Sequence, residues 1–278
     1  MAAKARFYKG WRKALFLVYM LINQEKYYQK IKDLNISHYS GETSYYSRAP
    51  LRVIEKTLLE RLPHGSKILD LGCGSGRFSV GAALLGLNVT GADITPAAIA
   101  CAREKAKKEG VDVTFLLADM TELPFEDNSF DFVFCPRFSI NAVATLSKRK
   151  LAVNEMMRVV KPEGKIFIES FNKFYSGKGI AMPMRNLFID LGRYFNIAKC
   201  YLLGKEYTGW LPGDLVYAAN KVDSASIGYT HLPTIIEILS WSPVIKHRKV
   251  YSIPQIVDKK KFDIFKFLRY SIWIIIDK

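Results

Sequence analysis

Ile68-Leu69-Asp70-Leu71-Gly72-Cys73-Gly74-Ser75-Gly76 is the stretch on which the reading of this chain turns. A short apolar run ends at an acid, three glycines follow at alternate positions, and Phe78 to Leu85 then reads as a helix. Glycine permits the tight turn and lets a ligand approach the backbone with no Cβ in the way. A dinucleotide-binding loop spaces its glycines G-x-G-x-x-G, which would put the third at position 77, and that residue is Arg77. Asp70 also stands two residues before the first glycine. A pyrophosphate at a helix N-terminus would be repelled by that carboxylate, whereas a cationic ligand would be welcomed.

Outward from this turn the chain alternates strand and helix. Apolar runs at Lys67–Leu71, Asn88–Ala92, Val113–Ala118, Phe130–Cys135 and Lys165–Glu169 predict strands. Phe78–Leu85, Pro96–Lys108 and Lys148–Val160 predict the helices between them, with Gly86, Gly110 and Gly164 placed as left-handed caps. Strands this apolar, joined by helices, imply a parallel sheet covered on both faces. Before it, a helix over about 50–61 shows one apolar face (Leu51, Ile54, Leu58, Leu62), and helical signals cover about 4–32, followed by a polar stretch with His38, Tyr39, Tyr45 and Tyr46. After it, residues 171–230 read as an aromatic-rich insertion over the sheet's carboxyl edge. A helix is expected at His231–Trp241, and two further strands at Val244–Ser252 and Tyr270–Asp277. The domain reading is a basic helix and lid segment over 1–49 and a single α/β domain over 50–278.

The net charge of +15 is concentrated at the ends: residues 1–32 hold eight Lys or Arg against Glu25, and residues 246–278 hold nine against three acids. Such ends can meet nucleic acid or an anionic membrane surface. Ala14–Ile22 is nine apolar residues, far short of the roughly 20 that span a bilayer, and Asn23-Gln24-Glu25-Lys26 behind it offers no small-residue cleavage site. A helix that packs on the domain, or lies on a membrane or over the active site, is the expectation. Cys73, Cys101, Cys135 and Cys200 form no C-x-x-C pair, so no metal set and no disulfide framework is indicated. Reduced thiols and a cytoplasmic setting, peripheral to the inner face of a membrane, are expected.

Two more acids fall at strand ends. Asp93 closes Val89-Thr90-Gly91-Ala92, where a carboxylate accepts hydrogen bonds from ribose hydroxyls. Asp119 follows the third strand, placed to accept from an exocyclic adenine amine while Met120 packs on the ring. With these residues in view, Lys67 to Ser170 resembles the class I S-adenosylmethionine-dependent methyltransferases, in particular the small-molecule and lipid-precursor group. The likeness rests on ILDLGCGSG (68–76), GADIT (91–95), LLADMTELPFEDNSFDFVFC (116–135) and EMMRVVKPEGKIFIES (155–170), about 100 of 278 residues. It implies a doubly wound, mostly parallel sheet of seven strands with the last one antiparallel, and S-adenosylmethionine as cofactor. The cofactor-binding set it implies is Asp70, Gly72, Cys73, Gly74, Gly76, Asp93, Ile94, Asp119, Met120 and Cys135.

The acceptor is less specified. Cys135-Pro136-Arg137-Phe138-Ser139-Ile140-Asn141 should face the transferred methyl, and it lacks the Asn/Asp-Pro-Pro-aromatic turn of related amino-group methyltransferases. The order Cys135-Pro136 is also the reverse of the Pro-Cys nucleophile of cytosine-C5 enzymes. Methyl transfer is chiefly a matter of positioning, and a general base is needed only where the nucleophile starts protonated. His231, Arg137 and Tyr45 are the catalytic candidates, with His38 and Tyr46 as further acid–base groups. The expected acceptor is an O or N atom of a small metabolite or lipid-like precursor. Membrane contact through residues 1–32 is compatible with it. RNA held by the basic ends is the weaker alternative, and a non-catalytic S-adenosylmethionine-binding module is the third.

Overall fold

The computed structural model describes residues 24–47, 49–173, 190–196, 198–199, 202–203, 214–218, 227–241, 248–259 and 271–278. Helix α1 (Gln24–Ser47) and α2 (Val53–Leu59) precede β1 (Lys67–Leu71), α3 (Arg77–Leu84), β2 (Asn88–Asp93), α4 (Pro96–Glu109), β3 (Val113–Leu117) and β4 (Phe130–Cys135). A 3₁₀ turn (Ser139–Ala142), α5 (Leu146–Val159) and β5 (Val160–Phe171) follow. Within the insertion come β6 (Asp214–Ala218) and β7 (Ile227–His231), and after it α6 (Ile235–Ser240), β8 (Arg248–Ser252), α7 (Ile253–Val257) and β9 (Ser271–Asp277).

Seven strands form one sheet in the order β3-β2-β1-β4-β5-β9-β8. β1 pairs in parallel with β2 and β4, β2 with β3, and β4 with β5, while β9 runs antiparallel to both neighbours. The doubly wound α/β fold expected from the sequence is the fold observed. Its layers follow from alternation along the strands. Leu69, Val133, Cys135, Ile166, Ile168, Ile272 and Ile274 face α5, packing on Ala152, Val153 and Met156. Ile68, Phe134, Phe167 and Trp273 face the other way onto Ile54, Leu58, Leu59 and Phe78. Phe134 and Phe167 stack across β4 and β5 with centroids 4.4 Å apart. Each such side chain contributes about 1.5–3 kcal/mol by leaving water, which makes the doubly covered sheet the rigid frame on which the loops are mounted.

Several boundaries move. α1 runs unbroken to Ser47, through the Tyr-rich stretch expected to follow a helix ending near residue 32. Ile31, Asn35 and His38, four and three apart, are all buried and supply the face that holds it. Residues 1–23, with the Ala14–Ile22 run, lie outside the described residues. His231 does not open a helix. It ends β7, antiparallel to β6, and α6 starts only at Ile235, where the Thr234 side chain accepts from Glu237 N. The His231–Trp241 expectation failed because the apolar period of Ile235–Ser240 was extended back through Pro233. The β6–β7 hairpin was not foreseen. No helix among the described residues is long and apolar enough to cross a membrane.

Gly86 and Gly110 are left-handed, with φ of 82° and 67°, as the capping reading requires. Gly164 is not. Glu163 carries the positive φ (66°), and Gly164 lies in β5 because a Cβ there would meet Asp131 O at 2.6 Å and Lys161 O at 2.8 Å. Gly164→Ala should therefore cost about 1–3 kcal/mol in chemical denaturation, because backbone must move. Glu163→Gly, which relieves a left-handed side chain, should be neutral to stabilising by about 1 kcal/mol. The reverse ranking would show that the turn is shaped otherwise.

Candidate functional site

The parallel arrangement delivers the carboxyl ends of β1, β2 and β3 to one edge. Leu71 pairs with Ala92 and Asp93 with Leu117, so Asp70, Asp93 and Asp119 leave adjacent strands at one level. The chain turns sharply after β1 through Gly72, Gly74 and Gly76, with φ of 71°, 53° and 79°. Gly72 N and Cys73 N donate to Ala92 O, at 2.8 and 3.2 Å. Each glycine is needed for a different reason. A Cβ on Gly72 would overlap the Ser139 side chain, and one on Gly76 would meet Ala102 Cβ at 2.9 Å. A Cβ on Gly74 would meet nothing within 4 Å. That open side, next to Asp93, is the approach a ligand would use.

Asp93 knits the turn to β2. Its Oδ2 accepts from Gly74 N at 2.9 Å and its Oδ1 from Thr95 N at 2.8 Å. Burial raises its pKa, against these hydrogen bonds. The Thr95 side chain and the Ile94 N–H add hydrogen bonds to the same carboxylate. Asp70 is wholly buried; Ser79 Oγ donates to its Oδ2, and its Oδ1 has no hydrogen-bond partner. Burial pushes the Asp70 pKa up to about 7, against the pull of Ser79 and Arg77. An uncompensated buried carboxylate beside an open glycine turn is a site awaiting a donor or a cation. Cys73 and Cys135 are buried and burial pushes both thiols up, so neither offers a thiolate nucleophile. Ile94 and Met120 are partly exposed beside the two outer acids.

Asp119 is engaged more fully than the sequence suggests. Its Oδ1 accepts from Thr121 N and Oγ1, and Lys32 Nζ lies 2.6 Å from its Oδ2. Burial works to raise its pKa, but Lys32 and Thr121 outweigh that and leave it lowered. Lys32 is brought there by α1, which is held by Asn35: Nδ2 donates to Ala142 O at 2.9 Å and Oδ1 accepts from Tyr229 N at 2.8 Å. Only the spacing of Lys32 and Asn35 along one helix could have hinted at this.

Arg77, the residue that excluded the dinucleotide loop, forms a two-pronged buried pair with Glu55, with bonds of 2.6 and 2.7 Å, and donates to Pro50 O. Arg52, at the N-cap of α2, bridges Glu55 to Glu169 at the end of β5. Glu169 is fully buried, and also accepts from Ser271 Oγ at 2.6 Å and from Arg137 N at 2.8 Å. This carboxylate thus holds the turn after β4, where Arg137 and Phe138 are both left-handed (φ 55° and 64°). Phe138 stacks on Phe171 with centroids 3.8 Å apart, and Ser139 Oγ donates to Pro136 O. Sequence reading missed Glu169; the one signal was an acid closing the apolar run Ile166-Phe167-Ile168.

Arg137 is exposed at the rim of the turn. Tyr45 lies in α1, but its side chain, like that of Tyr46, is outside the described residues. His231 is wholly buried: its Nε2 lies 2.8 Å from Glu237 Oε2, and Arg149 donates to Glu237 Oε1 at 3.1 Å. Its carbonyl accepts from Asn141 Nδ2, so the residue joins the hairpin to the 3₁₀ turn. These contacts join His231 to the 3₁₀ turn and α6, and the residue ends a strand instead of opening a helix. His38 is also buried.

The Asp70 shift has a thermodynamic sign. The folded-state pKa lies above the unfolded value, so the native state holds the proton longer, and stability falls as pH rises from about 4 to about 7. Asp70→Asn should therefore gain stability over the parent by on the order of 4 kcal/mol between about pH 4 and pH 8, measured by urea denaturation. A difference that stays flat over that window would mean Asp70 is not held as described.

A family model for a methyltransferase domain matches residues 69–168. Demethylmenaquinone methyltransferase of Thermus thermophilus is 37% identical over 118 residues, covering 41% of this chain and 50% of that protein. A ubiquinone/menaquinone biosynthesis C-methyltransferase of Chromobacterium violaceum is 32% identical over 149 residues, covering 49% and 59%. The chain spans about half the length of the curated relatives it matches. A crystal structure of an S-adenosylmethionine-dependent methyltransferase from Methanosarcina mazei superposes with a TM-score of 0.58 at 21% identity, over 83% of this chain and 99% of that one. The matched segment starts within β1 and ends within β5, and so contains the glycine turn, all three strand-end acids and the turn after β4: residues 69–168 are similar to a methyltransferase domain.

Proposed function

We propose that this protein transfers the methyl group of S-adenosylmethionine to a small-molecule or lipid-like acceptor. The observation that carries the reading is the join of Gly74 N to Asp93 Oδ2 beside the buried, half-partnered Asp70. The fit to the donor follows residue by residue. The open face of Gly74 leaves room for the ligand against the backbone, and the Asp93 carboxylate offers its oxygens to the ribose hydroxyls. Asp119 offers an acceptor to the adenine amine, with Met120 beside the ring and Lys32 sharing the carboxylate. Asp70 supplies negative charge near the amino and sulfonium end, which stabilises a cation in a low-dielectric pocket. Gly72, Cys73, Gly76, Ile94 and Cys135 shape the cradle without contributing charge.

When bound, S-adenosylmethionine supplies an electrophilic methyl on sulfur; this chain's residues bind, orient and exclude water. The turn Pro136–Ser139 is the element that meets the acceptor. Its two left-handed residues are of a kind that costs about 1–3 kcal/mol each and persists only where surroundings enforce it. Glu169, the Phe138–Phe171 stack and the packing of Ser139 on Gly72 enforce it here. The turn that faces the acceptor is therefore braced directly on the turn that holds the donor, which keeps reacting atoms in register. Arg137, exposed at that turn, offers a cation to an acidic acceptor.

The sequence points to an O or N atom as the methyl acceptor. The relatives include enzymes named for quinone biosynthesis as C-methyltransferases and O-methyltransferases, so a nucleophilic carbon joins the candidates. Peripheral membrane contact through residues 1–32 belongs to this proposal as well. It is supported by their charge of eight cations against one acid.

Asp93→Ala should weaken S-adenosylhomocysteine binding at least about tenfold in calorimetry, the loss of two charge-assisted hydrogen bonds to a ligand. Unchanged affinity would remove the ribose assignment. Incubation of the protein with methyl-tritiated donor and cell extract, split into lipid, small-metabolite and RNA fractions, should label the lipid or small-metabolite fraction. Label confined to RNA would overturn the acceptor class, and label in none would leave a binding module.

A further inference from the structure

The helical residues 190–196, 198–199 and 202 have their polarity inside out. Asp190, the acid of the segment, is 1% exposed, while Leu191, Phe195, Leu202 and Leu203 are 53–82% exposed. Leu191 and Phe195 lie four residues apart on one face of the helical residues 190–196, and Leu202 follows in the turn closed by Leu203 N donating to Lys199 O at 3.1 Å. The segment is not loosely attached. Asp190 Oδ2 pairs with Lys173 Nζ at 2.8 Å and Oδ1 with Arg193 at 2.7 Å, and Lys173 Nζ lies 5.2 Å over the Tyr194 ring. Lys173 stands two residues beyond the end of β5, so the buried ion pair fixes the segment at the carboxyl edge, on the side where the donor turn opens. Lys173 N also donates to Pro233 O, which draws in α6, whose Ile236 is 82% exposed. Other large exposed apolar residues, such as Val53, Leu84 and Leu117, lie singly on separate elements.

A contiguous apolar face of this kind marks a surface that something covers. Its charge says what. Asp190, the one acid among residues 173–203, is spent on Lys173 and Arg193, which leaves Lys178, Arg185 and Lys199 as that segment's remaining cations. Of these, Lys199 is exposed. With a net charge of +15, a second copy of this chain would be repelled, whereas an anionic bilayer attracts the cations and accepts the apolar side chains between its headgroups. We propose that this helical segment docks the protein on an anionic membrane surface through Leu191, Phe195 and Leu202, with the carboxyl edge of the sheet turned toward the lipid. This contact is separate from the basic N-terminal segment, and it does not depend on methyl transfer.

The test is sedimentation of the full chain with vesicles of phosphatidylcholine alone and of phosphatidylcholine mixed with phosphatidylglycerol. The parent should bind the mixed vesicles, and the pure ones at least about tenfold more weakly. Leu191→Ser/Phe195→Ser/Leu202→Ser should lower binding to the mixed vesicles about tenfold or more, and Phe195→Ser alone should account for part of that loss. Val53→Ser/Leu84→Ser, at isolated exposed sites, should bind like the parent. Retained S-adenosylhomocysteine binding in each variant shows that the fold is intact. Equal binding by the triple variant and the parent, or no binding by the parent, overturns the proposal. So does light scattering that shows a parent dimer which the triple variant loses, because the face would then be covered by a second copy.

Discussion

A single buried carboxylate, Glu169, ties together the parts of this protein that the sheet alone would leave independent. It receives the Arg52 guanidinium from the start of α2, the Ser271 hydroxyl from β9 and the backbone N–H of Arg137 from the turn after β4. A buried charge costs several kcal/mol unless it is paired and its remaining lone pairs are satisfied, and here all three kinds of partner are present. The arrangement is specific in a way that apolar packing is not: slippage of any one element leaves a charge without its partner. Its reach extends further through Arg52 to Glu55 and from there to Arg77, the first residue of the helix that follows the glycine turn. Burial works to raise the Glu55 pKa, but the two guanidinium groups outweigh it and leave it lowered.

The network explains how two turns from distant parts of the chain come to share one edge. Gly72 has no side chain, and Ser139 fills the space one would take. The glycine turn and the turn after β4 therefore touch, and the strain in Arg137 and Phe138 is held by Glu169 on one side and by Phe171 on the other. Asp70 stands against this order: it is buried, half satisfied and costly. Such a group lowers the stability of the empty protein and raises the gain from a cationic ligand, the usual exchange between stability and a working site.

The described part of the carboxyl edge is roofed by elements that do not belong to the α/β alternation. α1 is anchored through Asn35 to both the 3₁₀ turn and β7, and it places Lys32 on Asp119. The hairpin strand β7 ends at His231, whose pairing with Glu237 and, through it, Arg149 fastens the hairpin to α6 and α5. These are polar contacts between buried groups, so they set geometry more than they add stability.

The strands from β1 to β5 and their helices were legible because each carries its own period and its own stop signal, and the antiparallel β9 came with the resemblance. The three strand-end acids were legible for a related reason. In a parallel sheet every strand ends at the same edge, so an acid at a strand end is placed by topology without knowledge of any contact. Where contacts across the fold decide, the sequence was silent. That Lys32 reaches Asp119 depends on how α1 crosses the edge, and that Glu169 governs the turn after β4 depends on β9 lying beside β5 to bring Ser271 close. The fate of His231 turned on where a strand ended and a helix began, a choice made by pairing with β6 over local helical period. Local pattern determined the sheet and the acids at its edge; long-range hydrogen bonding, which no local pattern encodes, decided which side chains brace them.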